Sequence, residues 1–218
     1  MSGYLIVNLL GCLLVITSTL VVLAKKLKTA AYMYALQSLV LVSMFLTLAI
    51  TTGSTDLYIW SASAFVTKVI LVPCIMLYAI KKLGDDGDKE IESKLSPVGC
   101  VILVVCELIV CYLAVMNITL PTAAEVHPAL AISLAHFFIG LTCIVSQRNI
   151  MKQIFGYCLM ENGSHVTLAL LAPEAPGLVE TGIATDAVFA VIIMVMIALK
   201  IHRVNETLDA HDLMNLKG

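Results

Sequence analysis

Charge is scarce in this sequence. Asp, Glu, Lys and Arg make up 13% of its 218 residues, hydrophobic residues make up 60%, and the mean hydropathy is +0.99. Soluble domains carry about 25% charged and about 45–50% apolar residues. A soluble fold of this composition would leave apolar surface in water, and a bilayer removes that difficulty. The net charge is −2 with no basic patch, so nothing points to nucleic acid. The seven cysteines (Cys12, Cys74, Cys100, Cys106, Cys111, Cys143 and Cys158) include no C-x-x-C pair. Iron–sulfur and zinc sites need clustered thiolates, so no metal or cofactor is expected in this chain. The cysteines, all in apolar stretches, read as small core hydrophobes. Neither a Ser–His arrangement nor H-E-x-x-H is present to support an intramembrane enzyme. The first segment has no basic n-region and no A-x-A site, so it reads as a retained helix rather than a signal peptide. A free-standing secondary transporter would show an internal repeat with broken helices in both halves, and none is evident. A retinal-type receptor would need a mid-depth Lys in the last helix, which holds Asp186 instead.

What is present is a series of long apolar runs. A membrane span needs about 20 apolar residues. The hydropathy predicts an all-α bundle of about seven transmembrane helices: Gly3–Ala24, Ala30–Thr51, Leu57–Ile80, Val98–Ile118, Ala129–Ser146, Ile154–Ala172 and Val179–Leu199. Polar or Pro-containing breakers separate them: Lys25-Lys26-Leu27-Lys28, Thr52 to Asp56, Pro121 and Pro128 around the fourth connection, and Pro173 to Gly177. Connection three, Lys81 to Ser96, is the only long polar stretch. Its Gly84-Asp85-Asp86-Gly87-Asp88 reads as a solvated flexible loop, because the acids lack the spacing of a calcium loop.

The basic residues test this count. Lys25, Lys26 and Lys28 fall in connection one. Lys81, Lys82, Lys89 and Lys94 fall in connection three. Arg148 and Lys152 fall in connection five, and Lys200, Arg203 and Lys217 in the C-terminal tail. These are twelve of the thirteen Lys and Arg; the other, Lys68, lies inside a predicted helix. Basic residues gather on cytoplasmic loops, so the expectation is an N-terminus outside and a C-terminus in the cytoplasm.

Ionisable groups inside the helices are the candidate functional residues: Lys68, Glu107, His136, Glu161 and Asp186 near mid-depth, and His165 one turn beyond Glu161. Glu180 sits nearer the outer mouth of the last helix and is not among them. A charge at the bilayer centre costs at least about 2.5–3.5 kcal/mol on insertion scales, so such groups should face inward and pair. The expected pairs are Lys68 with Glu161 or Asp186, and Glu107 with His136. A lateral file of these groups would suit proton transfer; a structural polar lock is the alternative. Pro73 should kink its segment, and Gly163 should add a flexible step beside Glu161.

Several stretches carry a family resemblance. They are Gln37 to Ser43, Ile59 to Lys68, Arg148-Asn149-Ile150, Gln153 to His165, Gly182 to Ala187, and the exit Lys200 to Arg203 followed by Thr207-Leu208-Asp209. Together they resemble the hydrogenase 4 component E family, membrane subunits of formate hydrogenlyase. The last three helices also resemble the complex I K subunit and the C subunit of Mrp antiporters, through Arg148-Asn149, Gly156, Asn162 and His202-Arg203. Aligned on these residues, the two membrane glutamates of the K subunit fall on Cys158 and near Ala190, about one turn from Glu161 and Asp186. Side chains three or four apart share a helix face, so the resemblance allows the role to move by a turn.

The resemblance implies a non-redox membrane-arm subunit in the bacterial inner membrane, with no catalytic centre or cofactor of its own. Its implied partners are antiporter-like and other membrane subunits, together with nickel–iron hydrogenase and iron–sulfur subunits. It further implies three regions: a four-helix part at 1–128, a K-like three-helix part at 129–203 and a cytoplasmic tail at 204–218.

Overall fold

The computed structural model describes residues 3–87, 89–116 and 126–213. Seven long helices follow one another: α1 (Gly3–Leu23), α2 (Leu27–Thr52), α3 (Thr55–Lys82), α4 (Pro97–Met116), α5 (His127–Ser146), α6 (Ile150–Leu171) and α7 (Gly177–Asn205). A one-turn α8 (Ala210–Leu213) ends the described chain. All but α6 are long and apolar enough to cross a membrane. With 22 residues, α6 has the length, about 33 Å at 1.5 Å per residue. Its deficit is composition, because Lys152, Gln153, Glu161, Asn162, Ser164 and His165 all lie on it.

The predicted segments match these helices to within four residues at every described end but one: α7 runs to Asn205, six residues past the expected Leu199, so Lys200 and Arg203 lie in its last two turns rather than in the tail. Other differences are informative. Pro128 lies in the first turn of α5, where a missing N–H removes no helix bond. Asn149 begins α6 four residues earlier than expected, its side chain accepting a hydrogen bond from the Lys152 N–H at 3.2 Å. Lys152 was expected in connection five. It is instead fully buried in the first turn of α6, donating to Val21 O and Ala24 O, each at 2.6 Å. Its ammonium thus meets the unsatisfied carbonyls at the C-terminal end of α1, where the helix dipole favours a cation. Met1, Ser2, Asp88, Pro121, the end of the fourth predicted segment beyond 116 and the tail beyond 213 lie outside the described residues.

The helices run up and down. At one end, Ile91 N–H donates to Lys25 O (2.8 Å), Lys94 N–H to Ser146 O (2.9 Å) and Ile150 N–H to Leu208 O (3.0 Å). These bonds tie together the three basic connections and the tail. At the other end, Ser54 Oγ donates to Pro173 O at 2.7 Å and Asp56 accepts from Gly177 N–H at 2.9 Å. Connection three is therefore only partly as expected. Residues 91–94 are anchored to their neighbours, and Gly84–Gly87 forms a 3-10 turn.

α5 and α6 form the tightest pair, and glycine is the reason. A Cβ at Gly140 would collide with the backbone of Met160, and one at Gly163 with the backbone of Phe137. Small residues let helices in a membrane approach this closely. Gly163, expected to be a flexible step, is instead a packing surface inside a continuous helix. The outward faces of the bundle are apolar, with Leu9, Ile16, Ile50, Ile102 and Val110 all exposed. Patches of this extent are untenable in water and suit lipid. Cys12, Cys74 and Cys106 lie on that outer surface, so only Cys100, Cys111, Cys143 and Cys158 meet the expectation of core cysteines.

Candidate functional site

Lys68 is the centre of the site. It sits in a seven-residue π-helical segment, Phe65–Leu71, within α3. Pro73 follows closely; it has no N–H to donate and its ring crowds the carbonyl four residues back. The expected disturbance at Pro73 therefore takes the form of a widened turn, a feature that recurs at functional sites. Lys68 is 1% exposed, and its ammonium donates to both oxygens of Glu161 (2.7 and 2.6 Å) and to Asn162 Oδ1 (2.7 Å). All three of its protons are thus used.

From Asn162 the hydrogen bonds continue inward. Asn162 Nδ2 donates to Gln37 Oε1 at 3.0 Å, Gln37 Nε2 lies 3.3 Å from His136 Nε2, and His136 Nδ1 lies 2.7 Å from Ser18 Oγ. Ser18 Oγ closes the series on Leu14 O at 2.5 Å. Asn162, Gln37, His136 and Ser18 are all fully buried. Lys68 sets the direction of the whole series. A protonated Lys only donates, so Asn162 must offer its oxygen to it and its nitrogen to Gln37. Gln37 then donates to His136 Nε2, which leaves the imidazole proton on Nδ1, pointing at Ser18.

On the other side of Lys68, Glu161 Oε1 faces His165 Nδ1 at 3.6 Å, and His165 Nε2 abuts Glu180 Oε2. The imidazole therefore stands between two carboxylates. Phe45 and Trp60 wall it in, with ring centroids 5.5 and 5.6 Å away. Glu180 is fully buried, whereas Glu161 retains 13% exposure. Glu161 opens into a cleft of about 310 Å³ between α6 and α7, lined by Tyr157, Ser164, Leu168 and Ile183 among others. The polar row thus runs Ser18, His136, Gln37, Asn162, Lys68, Glu161, His165, Glu180. It takes side chains from α1, α5, α2, α6, α3 and α7.

Four of the expected candidates, Lys68, Glu161, His136 and His165, stand in this row. Two do not. Glu107 on α4 does not meet His136; it accepts a hydrogen bond from Thr142 Oγ1, and its second oxygen, buried, has no hydrogen-bond partner. Asp186 does not reach Lys68; it lies on the exposed face of α7. Glu180 supplies the α7 carboxylate instead, although its position suggested the outer mouth. Gln37, Asn162 and Ser18 had no charge to draw attention to them. Among the described residues, no group of three or more His, Cys, Asp or Glu side chains is placed to hold a metal ion.

Comparison with known proteins identifies the family. Residues 128–218 match the family NADH-ubiquinone/plastoquinone oxidoreductase chain 4L. No solved structure matches the chain. Over all 218 residues, and over the whole length of each relative, the chain is 51% identical to Hydrogenase-4 component E of Escherichia coli strain K12 and of Escherichia coli O157:H7. The same values hold for Hydrogenase-4 component E of Shigella flexneri. With half of its residues shared from end to end, the chain belongs to the hydrogenase-4 component E family.

Proposed function

We propose that this protein is a non-redox, multi-pass inner-membrane subunit of a bacterial nickel–iron hydrogenase complex of the formate hydrogenlyase type. In it, the buried charged row contributes to proton movement coupled to hydrogen evolution. The membership in a hydrogenase component family and the likeness to a complex I subunit support the complex. The basic end of the bundle is the cytoplasmic face, following the bias of Lys and Arg toward cytoplasmic loops. The division into 1–128, 129–203 and 204–218 belongs to the same proposal; the row draws side chains from the first two of these parts.

The observation that carries the proton reading is the His165 imidazole held between two carboxylates beside a buried ion pair. A proton passing from Lys68 Nζ to Glu161 converts the ion pair to a neutral amine and a carboxylic acid. The acid hands its proton to His165 Nδ1, and His165 releases its Nε2 proton to Glu180. An imidazole suits this step because its two nitrogens accept and donate on opposite sides. Return of a proton to Lys68 restores the pair. The inner half of the row favours a second role. Asn162, Gln37, His136 and Ser18 are dry and form one directed series of bonds, which suits a structural lock that holds Lys68 in place.

The test is Glu161→Gln in the assembled complex, with formate-dependent hydrogen output and proton movement measured together. The expected result is normal assembly with proton-coupled activity reduced at least tenfold. Unchanged hydrogen output and proton movement in a complex of normal composition would mean instead that the chain only anchors and spaces its partners.

A further inference from the structure

Asp186 presents a physical problem. It lies nine residues into α7, about 13 Å along the helix at 1.5 Å per residue, which is near the middle of a hydrocarbon core about 30 Å thick. It is exposed and, among the described residues, makes no hydrogen bond or ion pair. A carboxylate turned to acyl chains at this depth is strongly disfavoured. The outward face of α4 shows what a lipid-facing surface looks like in this chain: Val101, Ile102, Val105, Ile109, Val110 and Leu113, all exposed and apolar.

We infer that the face of α7 bearing Asp186 is covered by a transmembrane helix of another subunit, which presents a Lys or Arg side chain to this carboxylate. The inference rests on the reading of the chain as a subunit of a membrane complex. Three further observations place the contact there. A methyl group added at Gly182, one turn before Asp186, would meet no heavy atom within 4 Å, so a neighbouring helix can approach closely. Glu161 opens into the cleft beside Ile183 on one flank of α7. On the other flank, a groove of about 370 Å³ is lined by Ser63, Thr67, Thr181 and Thr185 together with Leu71 and Phe189. Beyond Asp186, exposed Phe189 and Ile193 continue an apolar surface for the same helix.

A second copy of this chain does not fit. A two-fold interface sets a patch against itself, which would bring two Asp186 carboxylates together. A partner cation removes the charge from lipid.

The experiment places a photoreactive residue at Ile193 on α7, and for reference at Ile109 on α4, in the whole complex in its native membrane. Adducts are identified by mass spectrometry. Ile193 is expected to capture a transmembrane segment of another subunit that contains Lys or Arg, while Ile109 captures lipid. Asp186→Lys is expected to cut the Ile193 adduct at least tenfold and Asp186→Asn severalfold, with the amount of this chain in the membrane unchanged. Capture of lipid alone, of a second copy or of a segment without a basic residue would overturn the inference, as would an adduct yield indifferent to Asp186→Lys. Capture of a basic helix from a protein outside any hydrogenase complex would sustain the pairing and remove the complex assignment.

Discussion

Glu180 and Asp186 lie six residues apart on one helix and have opposite surroundings. Glu180 is fully buried against His165, and Asp186 is exposed. At 3.6 residues per turn, six residues rotate a side chain roughly 240°, so two acids at this spacing cannot both face the bundle. The same contrast separates whole regions. α2 and α5 bury 56% of their spans inside the chain, whereas α7 buries 28%. The inner helices therefore satisfy their polar groups among themselves, and α7 carries polar groups on both its inward and outward faces.

Three pairs of variants would sharpen or break this comparison. The largest effect belongs to Lys68→Met, which leaves the Glu161 carboxylate without its cation; removing one partner of a buried pair costs about 3–5 kcal/mol. Thermal unfolding of the purified chain in detergent measures it. The double variant Lys68→Met with Glu161→Leu should recover most of that loss, because apolar side chains of similar size replace buried ion pairs with little penalty. If the double variant is as unstable as the single one, the ion pair is not the source of the loss.

Next comes packing. Gly163→Val drives a side chain into the α5 backbone, and overpacking of this kind costs about 1–3 kcal/mol. Gly182→Val on the open face of α7 should stay within about 0.5 kcal/mol in the isolated chain, as surface substitutions do. Equal losses at both glycines, read by unfolding midpoints, would erase the distinction between inner and outer sectors.

The smallest difference tests the two acids directly. Glu180→Gln removes the buried carboxylate that abuts His165 and should cost about 1–3 kcal/mol, the range for leaving a buried polar partner uncompensated. Asp186→Asn should change the isolated chain by less than about 0.5 kcal/mol. A reversed order would mean that Asp186, not Glu180, is the inward acid.

Much of the fold was legible beforehand because helix positions follow from local hydropathy and breakers, and the alternation of basic connections follows from charge. The site was legible in part. Lys68, Glu161, His136 and His165 are conspicuous as ionisable groups in apolar runs. Gln37, Asn162 and Ser18 are not, since neutral polar residues occur on many membrane helices without partners across the bundle. Lys152 looked like a loop residue because its role depends on the end of α1, more than a hundred positions away.

By itself, the sequence determined an all-helical membrane protein, the order and approximate limits of its seven long helices, and which connections share an end. Those properties are local, set by runs of apolar residues and by the charges between them. Only the tertiary structure decided how each helix is turned about its axis, and so which ionisable groups meet. In water, apolar periodicity marks the buried face of a helix; in a bilayer both faces are apolar, and that signal is lost. The rotation is fixed by close contacts such as Gly140 against Met160 and Gly163 against Phe137. On α7, Glu180 is buried against His165 and so joins the row, while Asp186 faces outward.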